Sequence, residues 1–384
     1  MKRSLFVQVA SSLSRSAYLP WKIRIRQWGK LPGRRGPTVL ITNHQHVDEG
    51  EIIYARSILQ HPLVTYIACN SRRTFETGFF AARLPWSAPF TMRLNPTPLW
   101  HALGILPIEN DLHSRSLISL AEEVRHAHGD LPLEAILPDD VVAKLDLSGR
   151  SLAELWKPAY FLRAQATVKL GNLKQPYRRE ALENFRRTMN ADIADIVEHV
   201  RAGATFYITP EGDFSRDGRM HAMRNGLVDA VLPVAEPWLC AIAYDPFRGK
   251  RLSMLYRVVQ PADRNDLGTS LAAARPVTTT ALLATFLCGV DAAFEANAAR
   301  ESVRAQLAAL PAGAFADPEL QRDPDAVVTE ALGVLVRLGI LAADGPRYRL
   351  TGHRTDVRFP HVADMIDYQR NMLEETLAAA ARLT

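Results

Sequence analysis

Thr38-Val39-Leu40-Ile41-Thr42-Asn43-His44-Gln45-His46-Val47-Asp48-Glu49 runs from a short apolar, β-branched segment into a loop carrying two histidines and two acids. Val, Ile and Thr fit a pleated surface at little cost in side-chain freedom. Bounded upstream by the Gly/Pro loop Gly33–Pro37, Thr38–Thr42 therefore reads as a buried strand. Working outward, Glu51–Leu59 reads as a helix and Val64–Ala68 as a second strand. Further strands are expected at Ile105–Ile108, Ala204–Thr209 (stopped by Pro210), Leu232–Val234 and Leu239–Ala243, and helices at Ser114–His126 and Arg179–Arg201. Alternation of this kind predicts an α/β core with a mixed sheet flanked by helices.

The alternation breaks from about residue 129 to 175, which reads as a mostly helical insertion. After about Pro261 the chain becomes Ala-rich. A helix at Ala326–Leu338 stops at Gly339, and Ile340–Leu350 reads as a hairpin turning at Asp344-Gly345. Three segments result: a basic amphipathic arm over 1–36, a core over 37–260 containing the insertion, and a mainly helical C-terminal extension over 261–384. Its helix and hairpin resemble the end of a winged-helix unit, without the dense basic recognition helix of a DNA reader.

The 384 residues are 47% hydrophobic and 23% charged, a balance that suits a folded domain. The cysteines, Cys69, Cys240 and Cys288, lie far apart and match no metal or disulfide pattern, which points to a reducing compartment. No apolar run reaches the roughly 18–20 residues that span a bilayer, and the opening Lys2–Val7 is broken by Gln8, Ser11 and Ser12 before a signal-peptide core can form. The net charge is +5, but no acid precedes Asp48, whereas nine cations do (Lys2, Arg3, Arg15, Lys22, Arg24, Arg26, Lys30, Arg34, Arg35), along with Phe6, Tyr18, Trp21 and Trp28. Cations with interfacial aromatics suit an anionic bilayer surface; a solvated arm, or one that touches nucleic acid, is the plainer alternative.

Chemistry is legible at two strand ends, where α/β sheets expose their functional groups. At the first, His44 is followed by Asp48 and Glu49. A carboxylate that fixes an imidazole tautomer makes the imidazole a general base, as an alcohol needs in order to attack a thioester. The second is Thr209-Pro210-Glu211-Gly212-Asp213-Phe214-Ser215-Arg216-Asp217-Gly218-Arg219. There glycine lets backbone N–H groups approach an anion, Arg216 and Arg219 are able to pair with phosphate, and Glu211 is placed to anchor the loop through backbone hydrogen bonds. Each segment also has a plain structural reading, as loop histidines and a surface turn.

Together these segments resemble the glycerolipid acyltransferase family, which includes bacterial 1-acylglycerol-3-phosphate acyltransferases, over roughly residues 20–250. Asn43-His44 corresponds to that family's first block, Pro210-Glu211-Gly212 with Ser215-Arg216 to its third, and Val231-Leu232-Pro233-Val234 to its last, in that order. Arg224-Asn225-Gly226-Leu227 resembles the link between the last two, and Trp21–Arg24 with Leu31-Pro32 the lead-in to the first. Leu103–Ile108, with Gly104, is similar to the second block, although Glu109-Asn110 stand where an arginine is expected; Arg115 or Arg178 would replace it. The family's orienting aspartate corresponds to Glu49 here, with Asp48 as the second choice, and the threonine and arginine of the third block are replaced by Asp213 and Phe214.

The resemblance implies transfer of a fatty acyl group from acyl-CoA or acyl carrier protein, as co-substrate and with no cofactor or metal, to a hydroxyl of a lysophospholipid or glycerol-phosphate-like acceptor. His44, Glu49 and Asp48 would be catalytic, and Glu211, Gly212, Ser215, Arg216, Arg219 and Gly104 substrate-binding. Backbone N–H groups near Gly212 would receive the oxyanion, and Phe79, Phe80, Leu84, Trp86 and Phe90 would line an acyl groove. It implies a peripheral protein on the cytoplasmic side of the inner membrane, partnered by the membrane surface, the thioester donor and a lipid acceptor, but not by nucleic acid. The rival reading is a zinc hydrolase: His44-x-His46-x-Asp48 is similar to the metal loop of the metallo-β-lactamase superfamily. A non-catalytic membrane or nucleic-acid binder is the second rival.

Overall fold

The computed structural model describes residues 9–10, 12–13, 23–33, 36–46, 49–61, 63–109, 114–223 and 225–383. The chain divides into two compact units, one over Ile67–His199 and a larger one over Val9–Tyr66 with Val200–Thr384.

Five neighbouring strands belong to the larger unit: β1 (Ile23–Trp28), β2 (Thr38–Thr42), β3 (Thr205–Ile208), β4 (Glu236–Asp245) and β5 (Leu252–Val259), in the order β1-β5-β4-β2-β3. β2 runs parallel to both neighbours, with Thr38 opposite Thr205 on β3 and Glu236 on β4. β4 and β5 are antiparallel, and β1 is parallel to β5. The sheet is thus mixed, within an α/β fold. Every residue of β2 and β3 is buried, which explains their continuous apolar runs: a parallel strand covered on both faces has no solvent side to make polar.

Helix α1 (Glu49–Gln60) follows β2 and buries Ile52, Ile53, Ala55 and Ile58 at helical spacing. The C-terminal region contributes α2 (Leu267–Ala274), α3 (Thr279–Cys288) and α4 (Met365–Leu383), with α2 and α3 both packed on α4. α3 is apolar nearly all round and correspondingly buried; α4 buries the stripe Met365, Tyr368, Met372, Thr376 and Ala379. The expected hairpin forms between Leu341–Asp344 and Arg347–Leu350, joined by the short strand Phe294–Glu295.

The smaller unit pairs Tyr66–Ser71 with Ile105–Ile108 in parallel and Ser114–Ser116 with Thr167–Lys169 antiparallel. The insertion folds as short helices whose Leu133, Ile136, Leu155 and Phe161 share one apolar core with Leu120 and Val124 of the helix Leu117–His128. It is therefore an integral layer of this unit.

Three expectations need correction. Residues 23–28, expected in a basic arm, form β1: Arg24 pairs with Glu319 at 2.8 Å at the surface and Arg26 with buried Asp317 at 2.8 Å, so both cations are engaged by acids of the same chain. The rest of the arm lies largely outside the described residues. Leu232–Val234 is a tight helical turn, because Pro233 has no N–H to give a sheet ladder. Ser114–Ser116 is a strand, and the helix starts one residue later with the Ser116 side chain accepting from the Ser119 N–H.

Candidate active site

Because β2 and β3 are parallel neighbours, the loops leaving them emerge at the same end of the sheet. Asn43 fixes the start of the first loop. Its side-chain amide donates to the Ile242 carbonyl at 3.0 Å, and its side-chain oxygen accepts from the Ile242 N–H at 2.7 Å. This pair ties the loop to β4 and turns the next residue, His44, out of the sheet. Beneath the loop the hydroxyls of Thr42 and Tyr207 meet at 2.9 Å, and burial pushes the Tyr207 phenol well above its ordinary value.

His44 Nδ1 lies 2.6 Å from the Glu49 carboxylate, at the first residue of α1. Glu49 is fully buried, and the same oxygen accepts from the Gln45 N–H at 2.5 Å. A carboxylate on Nδ1 places the ring proton there and leaves the Nε2 lone pair free. Nε2 makes no hydrogen bond among the described residues, and the His44 side chain is 19% exposed. The arrangement is an oriented, solvent-reaching imidazole backed by a buried acid. Asp48, the other candidate carboxylate, lies outside the described residues.

The Pro-Glu-Gly loop meets this histidine directly. Glu211, also buried, accepts the His44 N–H at 2.7 Å on one oxygen and the His221 N–H at 2.8 Å on the other. Burial raises its carboxyl above the usual range, opposed by those two amides and by the charge of Arg275. The Ser215 N–H donates to the His44 carbonyl at 3.1 Å, and the Ser215 hydroxyl accepts the Gly218 N–H at 2.9 Å. Phe214 lays its ring 4.3 Å from the His44 imidazole and 5.3 Å from His361. Gly212 holds φ at +72°, a left-handed turn suited to glycine, and its N–H turns back to the Thr209 carbonyl. The Phe214 N–H goes to the Asp213 side chain and the Ser215 N–H to His44, so within 212–215 the Asp213 N–H alone has no acceptor among the described residues.

The other expected site residues go elsewhere. Arg219 pairs with Glu374 on α4 at 3.1 Å. Arg216 is exposed, with no ion pair among the described residues. Gly104 belongs to the smaller unit, where its carbonyl accepts from the Ala68 N–H. In that unit Arg115 is taken up by Glu123 and Ser119, and Arg178 is exposed at the start of a helix. Of the expected groove residues, Phe79 and Phe80 cluster with Trp100, while Leu84, Trp86 and Phe90 are exposed. His46 sends Nε2 to the Arg358 carbonyl at 3.0 Å and packs on Tyr244 and Phe359. That nitrogen is thus occupied in the fold. Among the described residues no three His, Cys, Asp or Glu side chains gather closely enough to hold a metal.

Sequence reading missed the support that the C-terminal region gives this site. Gly218 sits at φ +90°, where an added Cβ would come within 1.9 Å of the Tyr368 carbonyl of α4. Arg275, fully buried, donates to the Gly218 and Met372 carbonyls and pairs with Glu375 at 2.6 Å; Glu375 also accepts the Met220 N–H. His361 flanks Phe214, and burial lowers its imidazole below the ordinary histidine value, against a backbone hydrogen bond to Gln45 that raises it. Only these long-range contacts reveal such roles; nothing local to residues 275, 361 or 375 marks them. No family model matches this chain, and no curated protein matches it significantly.

Proposed function

We propose that the protein is an O-acyltransferase in which His44 is the general base and Glu49 orients it. One observation carries this reading: an imidazole held at 2.6 Å by a fully buried carboxylate, its other nitrogen unbonded among the described residues, on a loop locked to a Pro-Glu-Gly turn by Glu211. His44 Nε2 takes the proton of an acceptor hydroxyl. The hydroxyl oxygen attacks the thioester carbonyl, and the departing thiolate receives the proton back from the imidazolium, giving an ester and a free thiol. Charge developing on the carbonyl oxygen needs a donor in place beforehand; the Asp213 N–H is the candidate, and loss of one such donor typically costs about 3 kcal/mol of barrier. Arg216 is the loop cation left for an anionic headgroup, Arg219 being paired. On this reading the donor is acyl-CoA or acyl carrier protein, the acceptor a lysophospholipid or glycerol-phosphate-like lipid, and the protein peripheral at the cytoplasmic face of the inner membrane. No helix among the described residues is long and apolar enough to cross a membrane.

The test is transfer of radiolabelled acyl groups from each donor to a panel of lipid acceptors, with wild type beside His44→Ala. The expected loss is about 10²–10⁴-fold, the usual worth of a general base, with the thermal transition unchanged. Undiminished transfer by His44→Ala overturns the assignment.

A further inference from the structure

The smaller unit displays an apolar surface that its own core does not use. Between Leu84 and Leu99 five large hydrophobic side chains face solvent: Leu84 (47% exposed), Trp86 (79%), Phe90 (87%), Leu94 (49%) and Leu99 (46%). They sit on short, proline-punctuated helices, Phe79–Arg83, Pro85–Ser87, Ala88–Thr91 and Thr97–Ala102. The stretch is held in shape from within. Phe79 and Phe80 pack on Trp100, the Trp100 indole N–H donates to the Thr74 carbonyl at 2.8 Å, and the Gly78 N–H donates to the Leu94 carbonyl at 3.2 Å. The exposed side chains are thus presented on an ordered base. Folded proteins seldom expose so many large apolar side chains within one short, ordered stretch without a partner.

The charge along the stretch points to the partner. From Thr77 to Ile108 there is no Asp or Glu, while Arg83 and Arg93 are present and exposed. A second copy of the chain would set this positively charged stretch against itself, with no acid in it to offset the arginines, because a two-fold interface brings the same patch of both copies together. An anionic bilayer satisfies both features at once. Trp and Phe enter the boundary between headgroups and acyl chains, and each flanking arginine finds lipid phosphate.

We propose that the surface formed by Leu84, Trp86, Phe90, Leu94 and Leu99, flanked by Arg83 and Arg93, docks the protein onto an anionic lipid bilayer. The assignment rests on the membrane-peripheral reading proposed above and narrows it to one surface, without depending on the reaction proposed for His44. The test is co-sedimentation of the full chain with vesicles of phosphatidylcholine alone or with about a third phosphatidylglycerol. Wild type is compared with Trp86→Ser/Phe90→Ser and with Arg83→Glu/Arg93→Glu. Wild type binds the mixed vesicles; both double variants lose about tenfold or more in partitioning, and all three run at the same size in solution without lipid. As a check that does not depend on folding of the double variants, brominated lipid quenches the tryptophan fluorescence of wild type, and that quenching falls in Trp86→Phe. Partitioning of Trp86→Ser/Phe90→Ser equal to wild type overturns the proposal. So does a wild-type dimer that the same variant converts to monomer, because the surface then belongs to a second copy.

Discussion

The larger unit buries two sets of carboxylates and treats them in opposite ways. Asp245 and Asp317 are completely buried, and guanidinium groups and hydroxyls answer them: Arg26 meets Asp317 at 2.8 Å, Thr280 donates its N–H and hydroxyl to Asp245, and Arg248 pairs with Glu319 and Glu330 close by. Burial pushes the Asp245 carboxyl up, while Thr280 and Arg248 pull it down. Glu49 and Glu211 are buried too, yet among the described residues no guanidinium bonds to either; their partners there are backbone amides and the imidazole of His44. One Glu49 oxygen has no hydrogen bond among the described residues. The first set neutralises itself and holds strands and helices together. The second sets carboxyl groups around a ring able to take up a proton, an arrangement that suits catalysis.

The contrast yields three expectations, the largest first. Arg26→Met strands Asp317 in the interior without its partner and should destabilise the fold by about 3–5 kcal/mol in chemical denaturation, whereas His44→Ala should cost under about 1 kcal/mol. Equal losses would erase the distinction. Glu49→Gln keeps an acceptor for the Gln45 N–H but removes the buried charge. The acyl transfer proposed above should then fall by about 10²-fold or more at unchanged or slightly raised stability, with activity and melting read on the same samples; a loss of both together would make Glu49 a structural acid like Asp317.

The smallest effect is a slope. The Glu211 carboxyl is raised in the folded protein, so between the ordinary carboxyl value and its raised value the native state holds more protons than the unfolded one. Stability therefore falls as pH rises through that window. Glu211→Gln should flatten this part of the profile of unfolding free energy against pH, leaving the slope that Asp245 contributes in the same sense. A profile steeper or identical in the variant contradicts the assignment.

What the sequence made legible was local. The strand at Thr38–Thr42 and the helix after it follow from a β-branched run giving way to helical spacing, and the five-residue step from His44 to Glu49 spans one loop. The paired roles of the two loops rest on two strands that prove to be neighbours. The illegible parts are those whose partners lie far along the chain. Ile23–Trp28 alternates isoleucine with arginine and reads as an amphipathic arm until Glu319 and Asp317 appear opposite its cations, almost 300 residues on. The strand Leu252–Val259 is not among those expected from the sequence. Arg275 and Glu375, which brace the loop around Gly218, lie in an Ala-rich region whose composition announces helix and nothing else.

The pairing of β1 with β5 has a consequence during synthesis. β5 begins 224 residues after β1 ends (252 minus 28), so at about 5–20 residues per second on the ribosome the first strand waits roughly 10–45 s for the ladder partner it has among the described residues. Throughout that interval its open edge is available to other nascent chains. The arginines at 24 and 26 then act as gatekeepers, repelling a like strand until the acids that will finally hold them have been made.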